Sequence, residues 1–313
     1  ITSPHATLYA DYFHISPGTG ATGNFARFGA GGVQLEVEYD RELVCAISSA
    51  ANKAGLPAGT LGERDKSLDH GTLVPLYFIK RAYGGGIKAR VVRLGLSGLS
   101  FSEHYRLGML IREASNAQNR KIAVIASGDL SHRLMAEGPY GYKEEGPRYD
   151  SRIMRIMGNG EFGELLDFDE AFCEAAGECG HRSFAIMAGC FDGMDVKAER
   201  LSYEGPFGVG YGVCTFLPGE LNRKRHFLKE FDKNRRAKLN DRKQKEDDYV
   251  RLARNAIEAY VRRGIIMPTP KDLPEGMLSR RAGVFVTLHK DGRLRGCIGT
   301  IEAVTQSIAE IGR

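Results

Sequence analysis

Ile122-Ala-Val-Ile-Ala-Ser127-Gly128-Asp129-Leu130-Ser131-His132 is the stretch whose reading decides the fold class. Five small apolar residues stop at Ser-Gly-Asp, and a histidine follows three positions after the aspartate. A short continuous apolar run reads as a strand buried on both faces, of the parallel α/β kind. Ligands and catalytic groups in such sheets gather just beyond the carboxyl ends of strands, where Asp129 and His132 stand. An ordinary strand-to-helix turn, with Asp129 as cap and His132 on the surface, would place the same residues there. His5 and His70, in comparable turns, tip the reading towards a site.

Outward from that stretch the chain alternates strands and helices, which argues a layered α/β fold. Ile1-Thr-Ser-Pro-His5-Ala reads as a strand end delivering a histidine into a loop, so residues are expected upstream of Ile1. Tyr9 to Ser16 is expected as another strand, and Val33 to Glu38 alternates apolar and charged residues like a half-exposed one. Between them lies Gly18-Thr-Gly20-Ala-Thr-Gly23, a literal GxGxxG. A dinucleotide site needs a helix to open from those glycines, but Asn24 to Gly32 is too glycine-rich for one, so a flexible loop is expected.

Asp40 caps a helix with Leu43, Val44, Ile47 and Ala51 at helical spacing. Leu68-Asp69-His70-Gly71-Thr-Leu-Val-Pro75 leads into a helix expected near Pro75, because proline suits a first turn. Ala89 to Leu96 reads as a strand, and Ser100-x-x-Glu103 is a capping box for a helix to about Asn116. Tyr149 to Met157 and Asp169 to Ala176 read as helices. Glu178-Cys-Gly-His181 leads into the apolar Ser183 to Phe191, and Arg200 to Tyr203 and Gly210 to Leu217 close this part as strands.

At 313 residues the chain has room for two domains, and its net charge of +5 is mild. No apolar run approaches the ~20 residues of a membrane helix, and no signal-peptide pattern is present. Cys45, Cys173, Cys179, Cys190, Cys214 and Cys297 are scattered without a close pair, as suits reduced thiols in a cytoplasm. After Pro218 basic clusters such as Arg223-Lys-Arg225 crowd a segment poor in apolar residues, and 218–246 is expected to be a basic, partly helical linker. Interspersed acids and the lack of an aromatic platform make a solvated helix the better account than a nucleic-acid surface. From Asp247, Tyr249 to Val261 is an amphipathic helix, and Ala282 to His289 and Arg293 to Ile298 flank a Lys290-Asp291-Gly292 hairpin turn. Val304 to Ile311 begins a helix.

Metal chemistry with dioxygen needs ligands on one face of an ion and open positions on the other, as two histidines and a carboxylate give ferrous iron. Further histidines can move protons, since imidazole titrates near neutrality. Ser-Pro-His5-Ala, Asp69-His70-Gly-Thr-x-Val-Pro75, Ser127-Gly-Asp-Leu-Ser-His132 and Glu178-Cys-Gly together closely resemble the class III (LigB-type) extradiol ring-cleavage dioxygenases. The nearest match looks like the AmmeMemoRadiSam system proteins, relatives of Memo, and it covers residues 1–217. The resemblance implies a layered α/β/α domain with His5 and Glu178 as iron ligands. It implies His132 as the acid/base, His70 helping to hold substrate and oxygen, and Asp129 orienting a neighbour. The family pattern has a further ligand histidine in a His-Pro-type motif, and this chain begins after the place where it would fall. In Memo-type relatives a cysteine near 179 looks like the ligand, so Cys179 or His181 stands as an alternative to Glu178. Glu178 and His181 would share a face if the segment were helical, an E-x-x-H spacing of the di-iron kind.

Residues 247–313 resemble the first part of an AMMECR-type domain, through Arg281-Ala-Gly-Val-Phe-Val-Thr-Leu and Leu294-Arg-Gly-Cys297-Ile-Gly299-Thr. A smaller, truncated α+β domain is implied, and the resemblance has it continuing beyond Arg313. Cys297 reads as a buried inert thiol. The expected function is a non-haem Fe(II) enzyme cleaving a catechol-type aromatic diol with dioxygen. Zinc or copper are the alternative metals, and a non-catalytic Memo-like scaffold for a peptide or protein is the alternative function. By resemblance a radical-SAM protein is an expected partner, and a homo-oligomer is possible.

Overall fold

The computed structural model describes residues 1–290, 293–303 and 306–312. Two compact units divide the chain, Ile1–Phe231 and Asp232–Arg313. In chain order the first holds β1 (Thr2–Ser3), β2 (Phe13–His14), β3 (Gly20–Phe25), β4 (Ala30–Glu38), α1 (Arg41–Lys53), β5 (Ala58–Gly59) and α2 (His70–Ala82). There follow β6 (Leu94–Gly95), α3 (Phe101–Ala117), α4 (Glu145–Asn159), α5 (Glu170–Ala176), α6 (His181–Gly189), β7 (Met194–Glu204) and β8 (Tyr211–Leu221). The unit boundary falls within α7 (Phe227–Gln244).

The mixed α/β layering follows from the alternation of residues 91–96, since successive side chains of an extended segment face opposite sides. Val91 joins Leu35, Val37, Leu73 and Leu76 in a core under α2, and Arg93 reaches Asp69 at the start of that helix. Leu94 and Leu96, with Val92 beside them, join Leu43, Val44 and Ile47 of α1 and Leu107, Leu110 and Ile111 of α3. β1 pairs in parallel with β6, Thr2 opposite Leu94, and Thr2 also bridges Ala126 in parallel. A third core gathers Phe101 and Tyr105 of α3 with α4, the 3-10 turn Phe162–Asp167, α5 and α6.

Local signals set most helix starts. Asp40 accepts the Leu43 amide, and α1 buries Leu43, Val44, Ile47 and Ala51 as the spacing requires. Glu103 accepts the amide and hydroxyl of Ser100 at the start of α3. Asp169 accepts the Ala171 amide at the start of α5.

Three expectations are corrected. The run 122–126 is not a strand buried on both faces: it is exposed to half-buried, and among the described residues its one bridge is that of Ala126 to Thr2. Among the described residues backbone pairing reaches it from one side only, through Thr2 N–H to Ile125 O and Ser127 N–H to Thr2 O. The glycine-rich 18–23 is not a loop, because β3 pairs antiparallel with β4 from Gly20↔Glu38. A β-carbon on Gly20 would meet Val37 O at 2.2 Å, so the glycine lets the two strands close. Finally, α2 starts at His70 rather than near Pro75, because Asp69 accepts the Thr72 amide and fixes the first turn, leaving Pro75 inside the helix. Of Tyr9–Ser16 and Ala89–Leu96, only Phe13–His14 and Leu94–Gly95 are regular strand.

Residues 218–246 divide. β8 runs on to Leu221, and Phe227, Leu228 and Phe231 pack against the α3–α6 core. Residues 232–245 are all exposed. The second unit has α8 (Asp248–Arg263), α9 (Glu275–Ser279), β9 (Val284–Lys290), β10 (Arg293–Thr300) and α10 (Ile308–Ile311). Asp247 caps α8, whose Leu252 packs with Leu273, Met277 and Ala309. β9 and β10 pair antiparallel, and the expected Asp291-Gly292 turn between them lies outside the described residues, as do Val304 and Thr305. Cys297 is exposed rather than buried, because this two-stranded ribbon leaves its face uncovered among the described residues. No helix among the described residues is long and apolar enough to cross a membrane.

Candidate metal centre and its cleft

Two turns meet backbone to backbone to build the site. Residues 128–132 are gripped on one side by the start of β8, where Leu130 N–H donates to Gly210 O (2.9 Å) and Gly210 N–H donates to Ser131 O (2.7 Å). On the other side lies the turn between α5 and α6. Gly180 N–H donates to Asp129 O (3.0 Å), and Ser131 Oγ donates to Ala176 O (2.7 Å). Asp129 N–H donates to Cys179 Sγ at 3.2 Å. A carboxylate oxygen of Asp129, a ring nitrogen of His132 and Cys179 Sγ thereby lie within 4.8 Å of one another, all half-buried.

His132 Nε2 is 3.2 Å from Asp129 Oδ2, and its ring stacks on Tyr140 with centroids 5.1 Å apart. His5 and His70 form a second group, with ring centroids 3.8 Å apart and Phe28 edge-on to His70 at 5.5 Å. Burial and then the neighbouring His70 pull the His5 pKa down, while Asp69 and Asp129 work against them. His5 is therefore in the field of both halves of the cleft, and a lowered pKa favours the neutral imidazole that a metal takes as ligand.

Burial pushes the Cys179 thiol up to about 12, with its hydrogen bond to Asp129 pulling the other way. An ion at this point would favour the thiolate, since a bound cation inverts local pKa logic. A thiolate from Cys179 with imidazole ligation suits Fe(II), zinc or copper and fits poorly with magnesium or calcium. Tyr211, which follows the Gly210 anchor, has its hydroxyl pushed up by burial and then by Asp129, Tyr140 and Cys179.

The sequence-based candidates separate here. Asp129, His132 and Cys179 cluster, His5 pairs with His70, and Asp129 and His132 both act on His5. Glu178 turns inward: its Oε2 accepts the His181 amide at 2.6 Å, and burial raises its pKa. His181 is wholly buried. Its Nδ1 is 3.2 Å from Tyr149 Oη and its Nε2 is 2.9 Å from Leu165 O, so both ring nitrogens are occupied in the core. The face that Glu178 and His181 would share on a helix does not form, because α6 begins only at His181 and Glu178 instead accepts the His181 amide. Tyr140, Tyr211 and Phe28 were not singled out from the sequence. Tyr140, between glycines in Gly138-Pro-Tyr-Gly141, carried the one available signal, an aromatic in a turn-forming run.

An open groove of about 1100 Å³ lies elsewhere, lined by Glu36, Glu38, Arg41, Glu42, Lys66 and Arg90 among others. It holds none of the clustered donors and has charges of both signs, so the chemistry and not the volume locates the site.

Comparison with known proteins shows the family. The family model described as the catalytic LigB subunit of aromatic ring-opening dioxygenase matches residues 2–214, and the AMMECR1 model matches residues 250–312. A Clostridium acetobutylicum protein is 38% identical over 318 residues, covering 99% of this chain and 67% of that protein. A MEMO1 family protein of Thermococcus onnurineus is 29% identical over 187 residues, 56% of this chain and 60% of its own length. A Thermotoga maritima protein is 55% identical over 56 residues, which is 18% of this chain and 32% of that protein. The chain thus spans about two-thirds of one of these relatives and a third of another. With the LigB model covering most of its length and the donor cluster inside the matched region, the chain belongs to the LigB family and carries an AMMECR1 domain after its LigB domain.

Proposed function

We propose that the cleft is the metal site of an extradiol ring-cleaving dioxygenase acting on a catechol-type aromatic diol, with Fe(II) as its metal. The observation that carries this reading is the cluster of Asp129, His132 and Cys179 beside the His5–His70 pair, inside a LigB domain. In this reading His5 and Cys179 hold the ion, and Glu178 supports the turn from behind by accepting the His181 amide. The metal, when bound, supplies Lewis-acid polarisation and a template for oxygen donors.

The chain's own residues do the rest. With its Nε2 engaged by Asp129 Oδ2, His132 presents Nδ1 as the nitrogen that accepts a phenolic proton of the diol and later returns it. Asp129 fixes that tautomer, and the Tyr140 ring limits the imidazole's rotation. Phe28 and Tyr140 are exposed aromatic rings on the two histidine groups and offer faces for a planar substrate.

The test is to load the full chain with Fe(II) without oxygen, confirm the bound iron, and admit oxygen with a panel of catechols. Yellow ring-cleavage product is expected, and His132→Ala should lower its rate ~10²–10⁴-fold while retaining iron. Iron-loaded protein that turns over none of the panel would favour the scaffold reading.

A further inference from the structure

We propose that Asp69, anchored by the buried Arg93, is the positioning residue that holds His5 and His70 face to face. The inference rests on the reading of the cleft given above, since it concerns two of that cleft's histidines.

Asp69 accepts from four donors. Its Oδ1 takes the Ser3 hydroxyl and the Thr72 amide (3.0 Å), and its Oδ2 takes Thr72 Oγ1 (2.9 Å) and Arg93 Nε (3.1 Å). Each bond leads to a different part of the cleft. The Ser3 hydroxyl that donates to Asp69 also accepts the His5 amide at 3.2 Å, so the carboxylate fixes the backbone that carries His5. The two bonds from Thr72 close the first turn of α2, which begins at His70. Arg93 ties both to the parallel strands, and at 1% exposure it cannot exchange Asp69 for water.

The two arms also touch. A β-carbon on Gly71 would stand 2.4 Å from Ser3 Oγ and 3.3 Å from the His5 ring, so the turn after His70 packs directly on the segment before His5. A single carboxylate at that contact sets the separation of the two rings. Asparagine cannot replace it, because whichever way the amide turns, its NH2 faces two donors: Ser3 Oγ–H and Thr72 N–H, or Thr72 Oγ–H and Arg93 Nε–H. Among the described residues none of the four bonds to Asp69 reaches Asp129, His132 or Cys179, so its loss should weigh on the half that carries His5 and His70.

The experiment uses the full chain with isotope-labelled histidine and reads nuclear Overhauser contacts between ring protons without metal. The parent should show His5–His70 contacts and His132–Tyr140 contacts. Asp69→Asn should lose the first at least several-fold and keep the second, whose survival reports an intact fold. Should the unpaired Arg93 prevent Asp69→Asn from folding, Ser3→Ala decides, because it leaves the Asp69–Arg93 pair in place and cuts only the His5 arm. It should weaken the His5–His70 contacts while the Thr72 amide resonance stays parental. Parental His5–His70 contacts in folded Asp69→Asn, or in Ser3→Ala where Asp69→Asn does not fold, would overturn the proposal. Titrating the same samples with Co(II) separates the two readings. About tenfold or greater loss of Co(II) affinity in Asp69→Asn is expected. A parent that binds no Co(II) would count against the metal reading and leave the ring contacts to decide the positioning.

Discussion

A β-carbon on Gly128 would stand 2.3 Å from the Cα of Gly180, so the turns that carry Asp129 and Cys179 meet with no room for a side chain between them. Gly128→Ala must push the turns apart. Overpacking of this kind costs about 1–3 kcal/mol, and the donor cluster should open with it. We expect folded Gly128→Ala to bind Co(II) at least tenfold more weakly than the parent by absorbance titration. Parental affinity would mean that the contact does not set the cluster.

Asp150 sits behind the same turn, accepting the Ser131 amide and the Tyr203 hydroxyl at 2.8 Å each. Burial outweighs these bonds and raises its pKa from 3.8 to about 6. A carboxyl raised on folding contributes stability that is fully present below about 3.8 and is lost as pH rises through about 6. Asp150→Asn removes that dependence, so the variant should gain on the parent in melting temperature between pH 4 and pH 7. A difference that is constant across this range would contradict the assignment.

His181 should behave as a core residue. Its removal leaves Tyr149 Oη and Leu165 O without their partner and opens a cavity between Phe101 and Phe168. We expect His181→Ala to cost about 2–5 kcal/mol in denaturant unfolding, with Co(II) affinity of the folded protein unchanged. Loss of metal at full stability would return His181 to the ligand set.

What was legible in the sequence was local. The α1 face of Leu43, Val44, Ile47 and Ala51 and the capping box of Ser100 and Glu103 are written in spacing alone. Gly18 to Gly23 was not legible, because glycines carry no side-chain pattern and their strand exists through pairing with β4. The run 122–126 has the composition of a central strand, but which neighbours reach it is a tertiary fact. At the site, His5, His70, Asp129 and His132 entered as candidates from their turns taken together with the family resemblance. The opposite directions of the adjacent Glu178 and Cys179 could not be read in this way, since they depend on where α6 begins and which group accepts its first amide.

The boundary near residue 231 can be tested by truncation. Asp192 accepts the Phe227 amide at 2.9 Å and lies 2.9 Å from His226 Nδ1, and Phe227, Leu228 and Phe231 pack on the core beside Phe162 and Phe216. A fragment 1–231 should melt cooperatively and be more stable than a fragment 1–217, by less per residue than the ~1.5–3 kcal/mol of full burial, since Phe227, Leu228 and Phe231 are half-buried. Equal stability of the two fragments would show that the start of α7 contributes nothing to the first unit.

The central claim is that Cys179, rather than Glu178, meets the metal. Co(II) added to the full chain without oxygen tests it most directly, because thiolate ligation gives an intense near-ultraviolet charge-transfer band that carboxylate ligation does not. The account predicts about one Co(II) per chain with that band, its loss in Cys179→Ser, and its persistence in Glu178→Gln. A band that survives Cys179→Ser, or Co(II) bound tightly with no band in the parent, would contradict it.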